Sequence, residues 1–404
     1  MKLLKLTLFA GLINLLHPLV GLELSPSTQS TIDSHFKTVI KQGHYSGIVA
    51  LTAIEGQEVY FDSFGYQSLK TKEPMEKDTI FRIYSMTKPI VSVALMQLVE
   101  RGKLSLKTPI IDIIPEFKDL KVLREDGSEE TLNKAITLQH LLTHTAGFSY
   151  GWSDHPVDQK YKAVDLWGIK TSQDFINAVA KLPLIQQPGE KWHYSIAVDI
   201  QGVIIERITG RSLSKHLNKV FFTPLKMRDT DFFIRQRDND RLASNYRIEN
   251  GRLKEKGTKY FNYLSEEGFH SGGGGLLSTI EDYYQFAQML LSKGTYKGVE
   301  YITEETFNLM TRDHLSEVLD DPSDPWSPHS FGLEEDRFGL GFRIKTITDP
   351  KTQEIRSEQY SWNGAAGTEF WVDPMNQVIN IICIQKMNSG YKLGEFMQAL
   401  LYKY

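Results

Sequence analysis

The sequence predicts a mixed α/β (α+β) fold: one antiparallel sheet built from both ends of the chain and flanked by helices, with a mainly helical inserted domain. Three observations predict it. Strand-like runs gather near residues 46–66 and again at 342–386, helical patterns fill most of the stretch between, and an almost wholly apolar helix stands at the first junction. Strands concentrated at the two ends close most simply into a single sheet, and the seam beside the insertion is where a cleft forms.

Residues 1–21 form a separate unit, in which Lys2 and Lys5 precede an apolar run from Leu6 to Val20 interrupted by His17 and Pro18. The run is short and broken for a bilayer span, so it reads as a secretory signal peptide with a loose cleavage signature at Leu19 and Gly21. The expected location is outside the cytosol, periplasmic or secreted; the alternative is an uncleaved N-terminal membrane anchor. Pro26 to Gln42 reads as a helix, with Ile32, Phe36, Val39 and Ile40 at helical spacing. Ser46 to Tyr66 reads as a hairpin: Ile48 to Ile54 goes out, Glu55-Gly56-Gln57 turns, and Glu58-Val59-Tyr60-Phe61 returns.

Residues 89–101 form the apolar helix, stopped by Gly102. Its hydrophobic residues (Ile90, Val91, Val93, Ala94, Leu95, Leu98, Val99) run nearly all round, which predicts burial in the middle of the molecule. Helical patterns follow at Leu138–Thr145, Thr171–Leu182, Val198–Thr209 and Leu213–Val220, then four glycines at 272–275 and a helix from Thr279 to Ser292. Phe342–Ile347, Glu358–Trp362, Thr368–Val372 and Gln377–Lys386 read as strands, Asp373-Pro374-Met375-Asn376 as the last turn, and Leu393–Leu401 as a closing amphipathic helix. The expected division is a sheet domain of residues 24–103 with 272–404, and a helical domain of 104–271.

The chain has 404 residues, 41% of them hydrophobic and 24% charged, enough for one large domain or two packed ones. The formal charge moves from −4 to −6 without residues 1–21, since Lys2 and Lys5 leave and no acid does. That mild acidity gives no reason to expect nucleic acid. The single cysteine, Cys383, lies in an apolar run, so no disulfide within the chain is possible and stability must come from core packing. Beyond the leader no stretch is long enough to cross a membrane, and oligomeric state is not legible.

The most informative segment is Tyr84-Ser85-Met86-Thr87-Lys88-Pro89-Ile90. Serine and lysine three apart at a helix start share one face, so an amine can reach the hydroxyl and help remove its proton. The helix N-terminus adds positive potential where the oxygen must become nucleophilic. In Pro188-Gly189-Glu190-Lys191-Trp192-His193-Tyr194-Ser195 a turn precedes a tyrosine at the mouth of a helix. A tyrosinate beside an ammonium can serve as general base, because the positive charge lowers the phenol pKa. In Tyr360-Ser361-Trp362-Asn363-Gly364-Ala365-Ala366-Gly367-Thr368 small residues crowd a strand edge, where a substrate can approach the backbone and an N–H can face an oxyanion.

Ser85-x-x-Lys88, Tyr194-Ser195 and Trp362-x-Gly364, in that order, resemble serine β-lactamases, penicillin-binding proteins and especially the β-lactamase-like carboxylesterases called family VIII esterases. The resemblance covers roughly residues 28–404. Supporting segments are His140-Leu141-Leu142-Thr143-His144-Thr145-Ala146-Gly147, Pro224-Leu225-Lys226-Met227-Arg228-Asp229-Thr230, Ser271-Gly272-Gly273-Gly274-Gly275-Leu276 and Phe370-Trp371-Val372-Asp373-Pro374. The resemblance implies a β-lactamase/transpeptidase-like fold and a Ser85 acyl-enzyme. Lys88 would stabilise the alkoxide and relay its proton, and Tyr194 would be the base in acylation and activate water afterwards. The N–H groups of Ser85 and Ala365 would hold the oxyanion, with Trp362, Asn363, Gly364 and His193 near the substrate.

Two departures narrow the substrate. Ile196 replaces the asparagine of the Tyr-x-Asn of class C β-lactamases, and Trp362-Asn363-Gly364 lacks the lysine of Lys-Thr-Gly that attracts a β-lactam carboxylate. An uncharged ester fits better than a β-lactam or D-amino peptide, which remain the alternative. Acyl transfer and a non-catalytic binding module stand further off. No metal or organic cofactor is expected, and the partner is a small-molecule ester or amide.

Other motifs carry less. Gly147-Phe148-Ser149-Tyr150-Gly151 matches the Gly-x-Ser-x-Gly nucleophile elbow but lacks the strand before it and the helix after it, so it reads as a loop. His140 and His144 lack the glutamate of His-Glu-x-x-His and read as structural, hydrogen-bonded histidines. Glycines 272–275 lack the Gly-Lys-Ser/Thr of a phosphate loop and read as close backbone packing. The loops Tyr150–Gly168 and Val318–Phe338 are candidates for a substrate-selecting wall.

Overall fold

A computed structural model of the chain describes residues 24–257, 263–315, 337–349, 351–352, 354–388 and 393–402. The leader, and all of the 318–338 loop except Arg337 and Phe338, lie outside the described residues. The central feature is an eight-stranded sheet in the order Arg337–Phe338, Arg343–Thr348, Ile355–Asn363, Glu369–Asp373, Val378–Cys383, Gly47–Ile54, Gln57–Ser68, Glu73–Pro74. Every neighbouring pair is antiparallel. The two ends of the chain meet where Gly47–Ile54 lies against Val378–Cys383, with Val49 opposite Cys383 and Leu51 opposite Ile381. The sheet from both termini is as the strand distribution predicts.

Gly47–Ile54 is buried throughout because both faces of the sheet are covered. Val49, Leu51 and Ala53 point into the main core, while Ile48, Ala50 and Ile54 join a second cluster with the outer helices. Those outer helices are α1 (Pro26–Lys41), capped by the Ser25 side chain and contributing Ile32, Phe36 and Val39, and the C-terminal helix Leu393–Leu401. The main core is organised around α2 (Thr87–Glu100), whose residues from Thr87 to Leu98 are all buried. A helix apolar on every side has no face to offer water, and this one does not.

Beside α2 lies the inserted region: α3 (Leu138–Leu142), α4 (Pro156–Lys162), α5 (Ser172–Val179), α6 (Ala197–Thr209) and α7 (Leu213–Leu217). Helix α6 packs directly on α2 and ends at Gly210, whose φ of 66° is the left-handed cap that glycine adopts without strain. Three predicted helices run shorter than expected, Thr171–Leu182 narrowing to Ser172–Val179. The stretch Leu138–Thr145 stops at Leu142, since His144 takes φ +54° and its carbonyl accepts a bond from the His193 N–H at 2.8 Å. Pairing with the tyrosine segment wins over another turn of helix. Leu213–Val220 is α-helical only to Leu217 and continues as a π-helical turn, Asn218–Phe222. Small two-stranded ladders at Lys121–Thr131 and Tyr246–Glu255 interrupt the region, neither of them anticipated from the sequence.

Leu95 is fully enclosed in this core. Leu95→Ala should destabilise the fold by about 2–5 kcal/mol through the lost transfer free energy and the cavity left behind. Chemical denaturation against wild type checks this.

Candidate active site

Helix α2 and the turn before it bring the first two groups together. Tyr84–Met86 is a short 3₁₀ turn that runs straight into α2, and Tyr84 holds φ +43°, a left-handed conformation costing a non-glycine residue on the order of 1 kcal/mol. That turn leaves Ser85 partly exposed while Lys88, one turn on, is buried. Lys88 Nζ lies 3.0 Å from Ser85 Oγ and donates to the carbonyl of Gly273 at 2.5 Å. Burial disfavours the ammonium and brings the Lys88 pKa down to about 7, opposed only by the negative charge of Asp199.

The glycine run explains itself at this point. A Cβ on Gly272 would stand 2.5 Å from the Val198 carbonyl, and one on Gly273 would collide with the Asp199 carboxylate and lie 2.8 Å from Tyr150 Oη. These glycines let the loop press against α6 and aim the Gly273 carbonyl at the lysine. Close backbone packing, the reading given by the sequence, is what the structure has.

Tyr194 enters from the segment leading into α6 and is buried, with its ring centroid 4.7 Å from Lys88 Nζ. The charge logic here reverses the expectation of a tyrosinate stabilised by an ammonium. Burial holds the phenol well above its ordinary range, and hydrogen bonding to Ser85 and Trp362 offsets only part of that. Desolvation acts on both groups in the same sense, toward neutrality: the lysine loses its proton readily and the tyrosine keeps its own. The group that can accept a proton near neutral pH is the Lys88 amine.

The Trp362–Gly364 segment arrives beside the nucleophile, but as the end of an inner strand paired on both sides and the turn after it, not as a sheet edge. Gly364 sits so close to the nucleophile turn that a Cβ there would be 2.4 Å from the Ile83 carbonyl, two residues before Ser85. Thr368 Oγ1 donates to the same carbonyl at 3.2 Å, and Gly364 N–H donates to the Thr368 carbonyl at 2.7 Å, closing a tight turn. Asn363 and Ala365 on this turn are exposed, and Trp362 is buried with its ring 5.6 Å from Tyr194 and 5.5 Å from Phe338. The structure thus brings Ser85, Lys88, Tyr194, Trp362 and Gly364 into one neighbourhood.

His193, next to Tyr194 in the chain, packs against the Ser149 loop. Its side chain is buried with Nε2 3.5 Å from Ser149 Oγ. Ser149 itself is enclosed and donates to the Asp158 carboxylate, as a loop residue would. His140 Nδ1 accepts the Thr137 N–H in a capping box, and buried His144 lies 3.4 Å from Ser195 Oγ, its pKa held well below the imidazole range by burial and by Lys88. Both histidines are structural supports.

One functional residue escaped the sequence reading. Asp199, in the first turn of α6 and fully buried, accepts from Ser271 Oγ at 2.5 Å and from Gly273 N–H at 3.0 Å. The residue whose N–H it fixes is the one whose carbonyl holds Lys88. The available signal was an acid five residues past Tyr194 in the largely apolar first half of a helix, a place where a carboxylate needs a reason.

Compared with known proteins, residues 32–402 match the family described as Beta-lactamase. The chain belongs to the β-lactamase family. It is 34% identical over 211 residues to Esterase EstB of Burkholderia gladioli, a match covering 51% of this chain and 52% of that one. It is 31% identical over 383 residues to the ML-236A carboxylate methylbutanoyltransferase mlcH of Penicillium citrinum, covering 88% and 89%. The solved structure of EstCE1, described as a hydrolase with promiscuous acyltransferase activity, superposes with a TM-score of 0.75 at 23% identity, covering 93% of this chain and 98% of that one. The fold is therefore β-lactamase/transpeptidase-like, and the protein is an enzyme of the serine hydrolase type.

Asp199→Asn provides a test of the electrostatics. Removing the negative charge that favours the Lys88 ammonium lowers the lysine pKa further, so reactivity that rises with pH through about 7 in wild type should rise at lower pH in the variant. The pH dependence of fluorophosphonate labelling at Ser85 measures it.

Proposed function

We propose that this enzyme is a carboxylesterase that works through a Ser85 acyl-enzyme and acts outside the cytosol. The observation that carries the reading is the 3.0 Å contact between the buried Lys88 amine and Ser85 Oγ beside a strand end, Trp362–Gly364, that carries no cation. Ser85 Oγ attacks the ester carbonyl carbon while its proton passes to Lys88 Nζ. The new C–O bond leaves a negative oxygen, for which the N–H groups of Ser85 and Ala365 are the proposed donors. Collapse breaks the bond to the alcohol oxygen, which takes a proton from the Tyr194 hydroxyl, and Tyr194 regains one from Lys88. Water then enters by the same route in reverse, releasing the acid and restoring Ser85.

The substrate reading rests on what that strand end lacks. Trp362 stands where a lysine would attract a β-lactam carboxylate, and Ile196, fully buried, stands where an asparagine would bind a side-chain amide. A neutral ester leaves no charge unpaired in such a site, whereas a carboxylate would be desolvated without a partner. Esterase EstB, similar over half of the chain, supports the same reading.

Acyl transfer is the second reading, and the similarity to mlcH favours it. The acyl-enzyme is common to both; an alcohol replaces water as acceptor. Product analysis with and without added alcohols separates them.

Ser85→Ala should lower p-nitrophenyl butyrate turnover by about 10⁴–10⁶-fold and abolish the acyl adduct seen by intact mass. Tyr194→Phe should lose about 10²–10⁴-fold in turnover while keeping its melting temperature, because a phenol that donates a proton is removed with little change of volume. Faster turnover of nitrocefin than of p-nitrophenyl butyrate would overturn the ester assignment. Failure of a fluorophosphonate to label Ser85 would overturn the acyl-enzyme.

A further inference from the structure

We infer that the loop bearing Tyr150 and Trp152 is the subsite for the alcohol half of the ester and that it takes planar aromatic or fused-ring alcohols; this rests on the acyl-enzyme reading above. Tyr150 stands between the reacting groups and the outside. On one side its ring is 5.3 Å from the Tyr194 ring and 5.3 Å from Lys88 Nζ. On the other it stacks on Trp152 at 4.2 Å with an interplanar angle of 6°, and Trp167 lies 5.9 Å away. Trp152 is 51% exposed, so an aromatic surface leads from Tyr194 to the exterior.

The surface is built in advance. Ser149 Oγ donates to one oxygen of Asp158, and the other oxygen accepts from Ser153 N–H at 2.7 Å and Ser153 Oγ at 2.5 Å. Both ends of the Tyr150–Trp152 tip are thereby fastened to α4. Between them Gly151 has φ +77°, and a Cβ there would be 2.8 Å from Lys162 N and 2.9 Å from Tyr161 Cβ. A loop fastened at both ends presents its rings at a reduced ordering cost on binding.

Proton transfer says which half of the substrate meets it. The alcohol oxygen must lie beside the group that protonates it, and in the proposed reaction that group is Tyr194. The rings of Tyr150 and Trp152 flank Tyr194, with Trp152 6.2 Å from it, so they flank the departing alcohol. The carbonyl oxygen belongs on the other side, at the Gly364–Ala365 turn. Aromatic platforms favour flat ring systems through offset stacking, which a methyl or ethyl group cannot make.

The test is kcat/KM for 2-naphthyl butyrate and methyl butyrate with wild type, Trp152→Ala and Trp152→Phe. Trp152→Ala should lower the naphthyl-to-methyl ratio about tenfold, chiefly through KM for the naphthyl ester, and Trp152→Phe should restore most of it. The order of preference among methyl acetate, butyrate and hexanoate should be the same in wild type and Trp152→Ala. A ratio unchanged in a Trp152→Ala enzyme that still forms the Ser85 acyl adduct overturns the alcohol subsite alone. A changed order among acyl chains with an unchanged ratio places the loop on the acyl side and also overturns it. Absence of both ester turnover and the Ser85 adduct in wild type overturns the acyl-enzyme reading and this inference with it.

Discussion

The Lys88 amine sits in a dry interior 3.0 Å from Ser85 Oγ, where desolvation disfavours its charge and brings its pKa to about 7. A lysine in water is almost always protonated at neutral pH and useless as a proton acceptor; burial changes that. The consequence reaches outward. A neutral amine still needs its N–H groups satisfied, and the Gly273 carbonyl does this only because two glycines allow their loop to press against α6. Asp199 then fixes that loop by its backbone N–H and, through its charge, limits how far the lysine pKa falls.

The fold supplies the burial. Helix α2 passes through the main core with every residue from Thr87 to Leu98 enclosed, so a side chain in its first turn has protein on all sides, while the 3₁₀ turn before it stays close to the surface. Serine and lysine three residues apart thus stand in different environments. The sheet contributes the opposite wall, because pairing Gly47–Ile54 with Val378–Cys383 brings the C-terminal strands toward the nucleophile turn and sets Gly364 against Ile83. Closure of the sheet by both termini is what makes the site.

Several parts of this arrangement were legible beforehand. The all-round apolarity of Ile90–Leu98 foretold a central helix, and the strand runs at both ends foretold the sheet. Ser85, Lys88, Tyr194 and the Trp362–Gly364 segment were recognisable by order and spacing, although spacing places only the first two near each other. Asp199 was missed because an isolated acid in a helix looks like any solvated residue until the helix is known to be buried. The short end of the Leu138 helix was misjudged since His144 gives up helical geometry to bond a segment about fifty residues later, an exchange no local pattern records.

By itself, then, the sequence determined the main strands and helices and the motif residues proposed to meet the substrate. Hydrophobic periodicity and turn chemistry are local, and the motif spacings are written along the chain. Only the tertiary structure decided the protonation logic, by enclosing Lys88 and Tyr194 together so that both favour neutrality. It also decided that Tyr150 and Trp152 stand next to Tyr194. Desolvation and ring stacking depend on what surrounds a group in space, and that surrounding is assembled from segments far apart in the chain.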